Sequence, residues 1–464
     1  MRHHLVHLVV FVSLAWAGCS GAYEQEARRD ISSFQKQYSA PAGHAPDAPP
    51  GDLERGLPGY VAYAMAKSPE LRAGFERWQA SVYEISRARR LPEPTLSFAY
   101  FVQSVETRVG PQIARVSLQQ TFPWPTKLTA GADAASARAR ALQRQFDARA
   151  LALTQRIADV YWRIWLVRQA RSIHREHLEV LRSLSESVLA RVATGAATLA
   201  DQQQVDLAAA RLEDLLAGLD EAERAAEARL RAAIGARGSI AVPTPGAPPD
   251  AELPSESESD LEGSARSHPT VAAFELLAES EDWVARREEA DRFPGLTIGA
   301  DWIITGESGM PDVPDSGKDA VVVGAGIRVP LWQASYSDSV AAARSMADAQ
   351  RAEARAAADQ AVAQLASDLS SVRDAVRRVR LFRETLVPQA EAAYASVLGA
   401  YVSGRGTVAQ TLLAQRDLLE LRVEFDQSRA DYAQGWARLE QVVGREIARS
   451  RPMDRDDARE GAAP

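Results

Sequence analysis

The stretch QIARVSLQQTFPWPTKL, residues 112–128, changes character midway, and that change decides the fold. Its first part alternates, with Ala114, Val116 and Leu118 set against Arg115, Ser117 and Gln119. A period of two belongs to a β-strand whose two faces meet different surroundings. Phe122-Pro123-Trp124-Pro125 ends the alternation, because proline denies the ladder an N–H and suits the first turn of a helix. Beyond it Phe146, Ala150, Leu153, Ile157, Val160, Ile164 and Val167 form an unbroken 4-3 heptad. Heptads mean helices packed side by side as coiled coils. A helix of about 60 residues is on the order of 90 Å long at 1.5 Å per residue, more than a globular core requires. It is built to reach across an aqueous space.

Working outward, the same succession occurs twice. Before the quoted stretch, Leu96, Phe98, Tyr100 and Val102 oppose Thr95, Ser97, Ala99 and Gln103. Further on, Leu296, Ile298, Ala300, Trp302 and Ile304 oppose Thr297, Gly299, Asp301 and Thr305. A fourth run sets Val321, Val323, Ala325, Ile327 and Val329 against Gly324, Gly326 and Arg328, and closes on Pro330-Leu331-Trp332. Ser68-Pro69-Glu70-Leu71 predicts a helix to about Arg90 ahead of the first hairpin, and His268-Pro269-Thr270-Val271 one to about Arg292 ahead of the second. Each very long helix breaks at a glycine, Gly195 or Gly404, and the returning helix ends after the same interval at Gly235 or Gly444. In the second returning helix Leu418, Phe425, Tyr432 and Leu439 recur every seven residues. The half-repeat is helix, β-hairpin, very long helix, turn, long helix, and a repeat of this kind defines the architecture.

The expected organisation is then a signal peptide over 1–18, an extended leader over 19–57, a first repeat over 58–235, a linker over 236–260, a second repeat over 261–446 and a polar tail over 447–464. The linker is rich in Pro, Ser, Glu and Gly, as surface connections are. Tyr23 to Gly51 reads as extended, and Arg451 to Pro464 as disordered.

Each alternating run is near the ~9–11 residues that cross a bilayer as a tilted strand. Arg115, Asp301 and Arg328 all fall on the polar face, and Trp124 and Trp332 follow the descending strands, where interfacial aromatic girdles sit. A soluble sandwich is the alternative. Four strands cannot close, and open edges in hydrocarbon would leave N–H and C=O groups unpaired. A barrel must therefore be assembled from several chains. The fold class is mainly α with a membrane β-barrel portion: duplicated long α-helical hairpins plus four transmembrane strands per chain.

The N-terminus begins with Met1-Arg2 and an apolar run, Leu5 to Ala15, too short for a spanning helix. It ends in Trp16-Ala17-Gly18-Cys19, which resembles a bacterial lipoprotein lipobox with Trp16 where Leu is usual. That resemblance implies acylation of Cys19, palmitate included, and Ser20 after it favours outer-membrane delivery. The alternative is an ordinary signal peptide that happens to contain cysteine. Cys19 is the only cysteine, so no disulfide forms within one chain. After residue 19 no run of 18 apolar residues occurs.

Several function classes drop out. The net charge of −8 comes without a clustered basic surface, so nucleic acid is not an expected partner. No phosphate-binding glycine loop, nucleophile elbow or HExxH occurs, and no enzyme activity or cofactor is expected. His174 and His177 stand i, i+3 on a helix, but no Cys or carboxylate pattern completes a metal site, so they read as solvated helix-face residues. In the turns Ala193 to Thr198 and Val402 to Thr407, the glycines suit a left-handed cap, and Thr198 and Thr407 are candidate N-caps of the returning helices.

Taken together these residues resemble the TolC-like outer-membrane efflux family. The resemblance is carried by Gln119 to Leu128, by its counterpart Arg328-Val329-Pro330-Leu331-Trp332 and by the two glycine-to-glycine hairpins, over about residues 58 to 446. The string Phe122-Pro123-Trp124-Pro125-Thr126-Lys127-Leu128 looks most like the branch serving heavy-metal cation exporters, with Thr126 where that branch carries Gly. The family implies a homotrimer in the outer membrane of a Gram-negative bacterium. Its 12-stranded barrel would have Arg115, Asp301 and Arg328 facing the lumen, its helical tunnel would cross the periplasm, and the linker would lie in an equatorial belt. It implies a periplasmic adaptor, an inner-membrane pump and outer-membrane lipid as partners, with small molecules or metal cations as cargo. It also implies docking and gating at the tips, here Thr194, Gly195, Thr198, Asp201, Gly404, Arg405, Thr407 and Gln410. Asp201 would pair with Arg405 across neighbouring tips; the plain alternative is two solvated charges worth at most about 1 kcal/mol. A coiled-coil spacer lipoprotein or an adaptor without channel activity would explain the heptads but not the four strands.

Overall fold

The computed structural model describes residues 21–38, 53–236, 242–243 and 245–450. Cys19 and its lipobox, residues 39–52 of the leader and the tail from 451 lie outside them. The elements are α1 (Ala22–Tyr38), α2 (Leu57–Lys67), α3 (Pro69–Arg89), β1 (Thr95–Thr107), β2 (Gly110–Phe122), α4 (Pro125–Ala193) and α5 (Leu199–Ile234). After the linker come α6 (Glu258–Arg266), α7 (Pro269–Ala290), β3 (Gly295–Thr305), β4 (Ala320–Arg328), α8 (Gln333–Leu381), α9 (Val387–Val402) and α10 (Val408–Val443). The duplication holds element for element from α2 and α6 onward. The short helices α2 and α6 open each repeat, ahead of the helices that begin at Pro69 and Pro269.

One compact unit comprises, of the described residues, 21–36, 75–144 and 272–355. Its sheet is an antiparallel meander in the order β1-β2-β3-β4. Its helices pack through small residues: Ala134, Ala137 and Ala141 of α4, Ala278 and Ala285 of α7, and Ala343 and Ala347 of α8 are all buried. Alanine lets helices approach closely, since the separation of axes is set by the side chains at the contact. Ser280 donates to the carbonyl of Ala134 at 2.9 Å, and Arg140 pairs with Glu279 at 2.6 Å.

α1 corrects the expectation of an extended leader. Its charges suggest a solvated tether, yet Ala27 and Ile31, one turn apart, are 1% and 3% exposed. Glu24 is buried between Arg28 and Arg89, at 2.9 and 2.5 Å, and Trp78 Nε1 donates to the Tyr23 hydroxyl at 3.2 Å. A narrow apolar stripe becomes a helix because tertiary partners cover it.

The second unit comprises the described residues within 37–74, 145–271 and 356–450. Leu153, Ile157 and Ile164 of the heptad lie in one core with Tyr60, Leu71, Trp165 and Leu230, and Phe146, Ala150 and Val160 pack against it. Tyr432 and Leu439 of the α10 heptad join Leu261, Leu369, Val372 and Trp436 in another. The linker is tied down: Ser255 N–H donates to Ala448 O at 3.1 Å and Ser450 N–H to Leu253 O at 3.0 Å.

The two very long helices differ in one respect. α4 runs 69 residues without interruption, about 100 Å at 1.5 Å per residue. Between α8 and α9 lies a π-helical turn, Phe382–Leu386. One more residue separates Trp332 from Gly404 than separates Trp124 from Gly195. A π-turn holds one extra residue within a helix, so the insertion is absorbed there and the two glycine turns keep equivalent places. Pro388, which lacks an N–H, sits just beyond it.

Candidate functional site

The pairing register brings the four alternating runs onto common faces. Phe98 lies opposite Val116, Val116 opposite Trp302, and Trp302 opposite Val321. Leu96, Leu118, Ala300 and Val323 make the adjacent row, and Phe122, Leu296 and Ile327 another. The face they build is apolar and open: Leu96, Phe98, Val321 and Val323 are each about 70% exposed. Its one polar member, Gln120, turns its amide to the backbone carbonyls of Pro92 and Thr121, at 2.8 Å each. A face this extended and this apolar needs a covering phase.

The opposite face carries Ser97, Ser117 and Asp301 in one row, and Arg115 beside them. Arg115 Nε stands 3.6 Å from Asp301 Oδ1, the Ser117 hydroxyl donates to the same carboxylate, and Thr121 and Thr297 share a hydrogen bond at 3.1 Å. Arg328, opposite Gly295, belongs to this face too. Ile303 and Val322 interrupt its polarity. The strands, at 13, 13, 11 and 9 residues, meet or exceed a tilted membrane crossing. A register shift between Tyr100 and Val105 ends the alternation of β1, and Val102 falls within it. Among the described residues β1 pairs only with β2, and β4 only with β3, so both edges are open.

The junction below β2 explains the Phe-Pro-Trp-Pro-Thr-Lys string. Trp124 stacks on Phe293 of the α7–β3 junction in the other repeat, ring centroids 4.8 Å apart and planes 17° from parallel. Pro125 opens α4, and Lys127 closes an ion pair with Asp291 just past α7. The motif thus clamps the β2–α4 transition to the α7–β3 transition. Trp332, by contrast, is 75% exposed.

At the tips, Gly195 and Gly404 adopt φ of 72° and 75°, a conformation that favours glycine. Ala196 N–H reaches back to Arg191 O at 2.8 Å, and Arg405 N–H to Ala400 O at 2.9 Å, the doubled-back hydrogen bonding of a Schellman end. Thr198 and Thr407 cap the returning helices as expected, and both take part in full capping boxes. The partners are Asp201 and Gln410: Thr198 N–H and hydroxyl donate to Asp201 Oδ2 at 2.9 and 2.7 Å, and Thr407 N–H donates to Gln410 Oε1 at 3.2 Å. These hydrogen bonds hold the Asp201 carboxyl below the usual carboxylate range. Within the chain Arg405 donates to Ser403 Oγ at 3.2 Å, and the described residues show no ion pair between Asp201 and Arg405. Thr194 donates to Arg191 O at 3.0 Å. A contact that sequence reasoning missed joins the two hairpins: Arg191 lies over the Tyr401 ring, 4.7 Å from its centroid. Nothing in the spacing marks that pair.

The histidine expectation needs correcting. His174 and His177 are half-buried rather than fully solvated; they line an open groove of about 680 Å³ between α4, α5 and α10, with Leu212, Leu412 and Leu419. His177 Nδ1 is 2.7 Å from Gln415 Nε2. Burial, and then the neighbouring His174, lowers the His177 pKa to about 4, and burial lowers that of His174. Among the described residues no group of three metal-ligating side chains occurs, and no helix is long and apolar enough to cross a membrane.

Residues 264–445, the second repeat, match the family model described as outer membrane efflux protein. No curated protein sequence matches the chain. The fold is similar to that of the outer membrane protein VceC from Vibrio cholerae, at 21% identity and a TM-score of 0.69, over 84% of this chain and 96% of that one. It is also similar to the outer-membrane channel OprN, at 17% identity and 0.72, over 85% and 91%. The open state of the Neisseria gonorrhoeae outer membrane channel MtrE matches at 15% identity and 0.68, over 84% and 89%. The second repeat thus matches the outer membrane efflux protein model in sequence, and the chain as a whole has the fold of these outer-membrane channels.

Proposed function

We propose that the chain is one third of a homotrimeric exit duct in a Gram-negative outer membrane. Three sheets would join edge to edge into a 12-stranded barrel, β4 of one copy beside β1 of the next. The observation that carries this is the sheet itself, with one face apolar but for Gln120, the other bearing Arg115, Asp301 and Arg328, and both edges open. Lipid would cover the first face and water fill the space behind the second. Cys19 would be acylated after removal of residues 1–18 and would add an anchor to the barrel. The tips around Gly195 and Gly404 would meet a periplasmic adaptor linking the duct to an inner-membrane pump. Cargo would be small molecules or metal cations, and Lys127, tied to Asp291, holds the fold at its junction.

The test is assembly and conduction. Protein extracted from outer membranes should run as a heat-sensitive trimer in detergent gels and form discrete conducting events in planar bilayers. A monomer washed off membranes by salt or alkali would defeat the proposal.

A further inference from the structure

We propose that the apolar pocket at the β2–α4 junction seats the acyl chain carried by Cys19. This rests on the acylation proposed above. The pocket, about 370 Å³, is lined by Leu91, Phe122, Trp124, Leu128, Leu296 and three prolines, with no charged side chain among them. Phe122 and Leu296 pair across β2 and β3 at the end of the apolar face, so the pocket opens in continuity with the surface assigned to lipid.

The start of α1 is held on the helix that leads into the pocket wall. Glu24 is 4% exposed and held by Arg89 at 2.5 Å, and the neighbouring Tyr23 is held by Trp78. Arg89 ends α3, two residues before Leu91 in the pocket wall. Cys19 lies five residues before Glu24. Five residues span at most about 18 Å, and an acyl chain reaches about 15 Å more, half the ~30 Å hydrocarbon core. That reach covers the step from Arg89 to the pocket. A tethered chain is also present at an effective concentration that untethered lipid must compete against. α1 therefore positions the anchor, and the acyl chain would brace Trp124 and Leu128 where the strand becomes a helix.

The experiment uses the full chain made in cells fed a diazirine-bearing fatty acid, irradiated before extraction. Digestion and mass spectrometry read two things independently: the mass of the peptide that begins at Cys19, and the adducts on the peptide containing residues 122–128. The expected result is an acylated Cys19 peptide crosslinked to that junction peptide. Leu128→Trp or Leu91→Trp, whichever assembles as the unaltered protein does, should lose the crosslink while Cys19 stays acylated. A junction peptide bearing only phospholipid adducts would overturn the proposal and make bilayer lipid the occupant, leaving acylation intact. An acylated Cys19 crosslinked only elsewhere would overturn it as well. An unmodified Cys19 would remove both the acylation and the seat.

Discussion

Val323 and Gly324 are neighbours in β4 whose side-chain positions point to opposite faces, and arginine at each should have opposite consequences. Val323 is 73% exposed on the apolar face, opposite Ala300; Gly324 is opposite Gly299 on the polar face, and an added Cβ there meets nothing within 4 Å. β4 spans Ala320–Arg328, so both stand near its middle. Arginine facing lipid near the bilayer midplane costs about 2–4 kcal/mol, against about 0–1 near the interfaces. Mid-strand placement selects the upper range, and a trimer would bear it three times, about 6–12 kcal/mol, comparable with the ~5–15 kcal/mol stability of a whole domain. Even 2 kcal/mol in one chain shifts an equilibrium by roughly thirtyfold. Val323→Arg should therefore leave little heat-sensitive trimer in outer membranes. Gly324→Arg should assemble, since strand propensity improves on losing glycine and the guanidinium would meet water. Its mark should be a lower single-channel conductance and a shift toward anions in planar bilayers. Equal trimer yields for the two variants, or failure of Gly324→Arg alone, would refute the assignment of faces.

At the tips, charge and capping can be separated because Gln410 already does in one repeat what Asp201 does in the other. Asp201→Gln combined with Arg405→Ala should keep the cap and raise conductance if the charges close the aperture; a rise seen only with Asp201→Ala would point to fraying of the helix end instead. Thr198→Ala should cost about 1 kcal/mol of local stability, read as faster amide exchange in the first turn of α5. Cysteine at Thr194 or Arg405 should capture the adaptor in cells by crosslinking; capture from Pro243→Cys alone would place docking on the linker. Finally, His177 packs neutral, its pKa lowered to about 4. Above pH ~6.5 neither state binds its proton, whereas between ~6.5 and ~4 the unfolded chain does and the folded one does not. Stability should thus fall as pH drops through that window, by at most about 3 kcal/mol per chain, and about half that after allowing for solvent at the partly exposed ring. His177→Leu should flatten the slope in thermal melts between pH 7 and 4, and an unchanged slope would show that other groups set it.

What the sequence settled by itself were the local periodicities, because each depends on a few neighbours along the chain. A period of two on either side of Phe122-Pro123-Trp124-Pro125, the heptad from Phe146 to Val167, and glycines at 195, 235, 404 and 444 placed strands, helices and turns. The capping threonines were legible for the same reason: the box they form spans four residues. Where many partners decide, the reading ran out. α1 is a helix because Arg89 and Trp78 cover its polar start and other elements cover Ala27 and Ile31, none of which its own composition announces. His174 and His177 look solvated along one helix, and only α5 and α10 enclose them. Asp201 read as a charge near a tip, and the structure turns that carboxylate onto Thr198 at 2.7 Å. The register that sets Phe98, Val116, Trp302 and Val321 in one row is likewise tertiary. Alternation gives each strand two faces, and only the pairing of strands far apart in sequence brings the apolar faces together on one side.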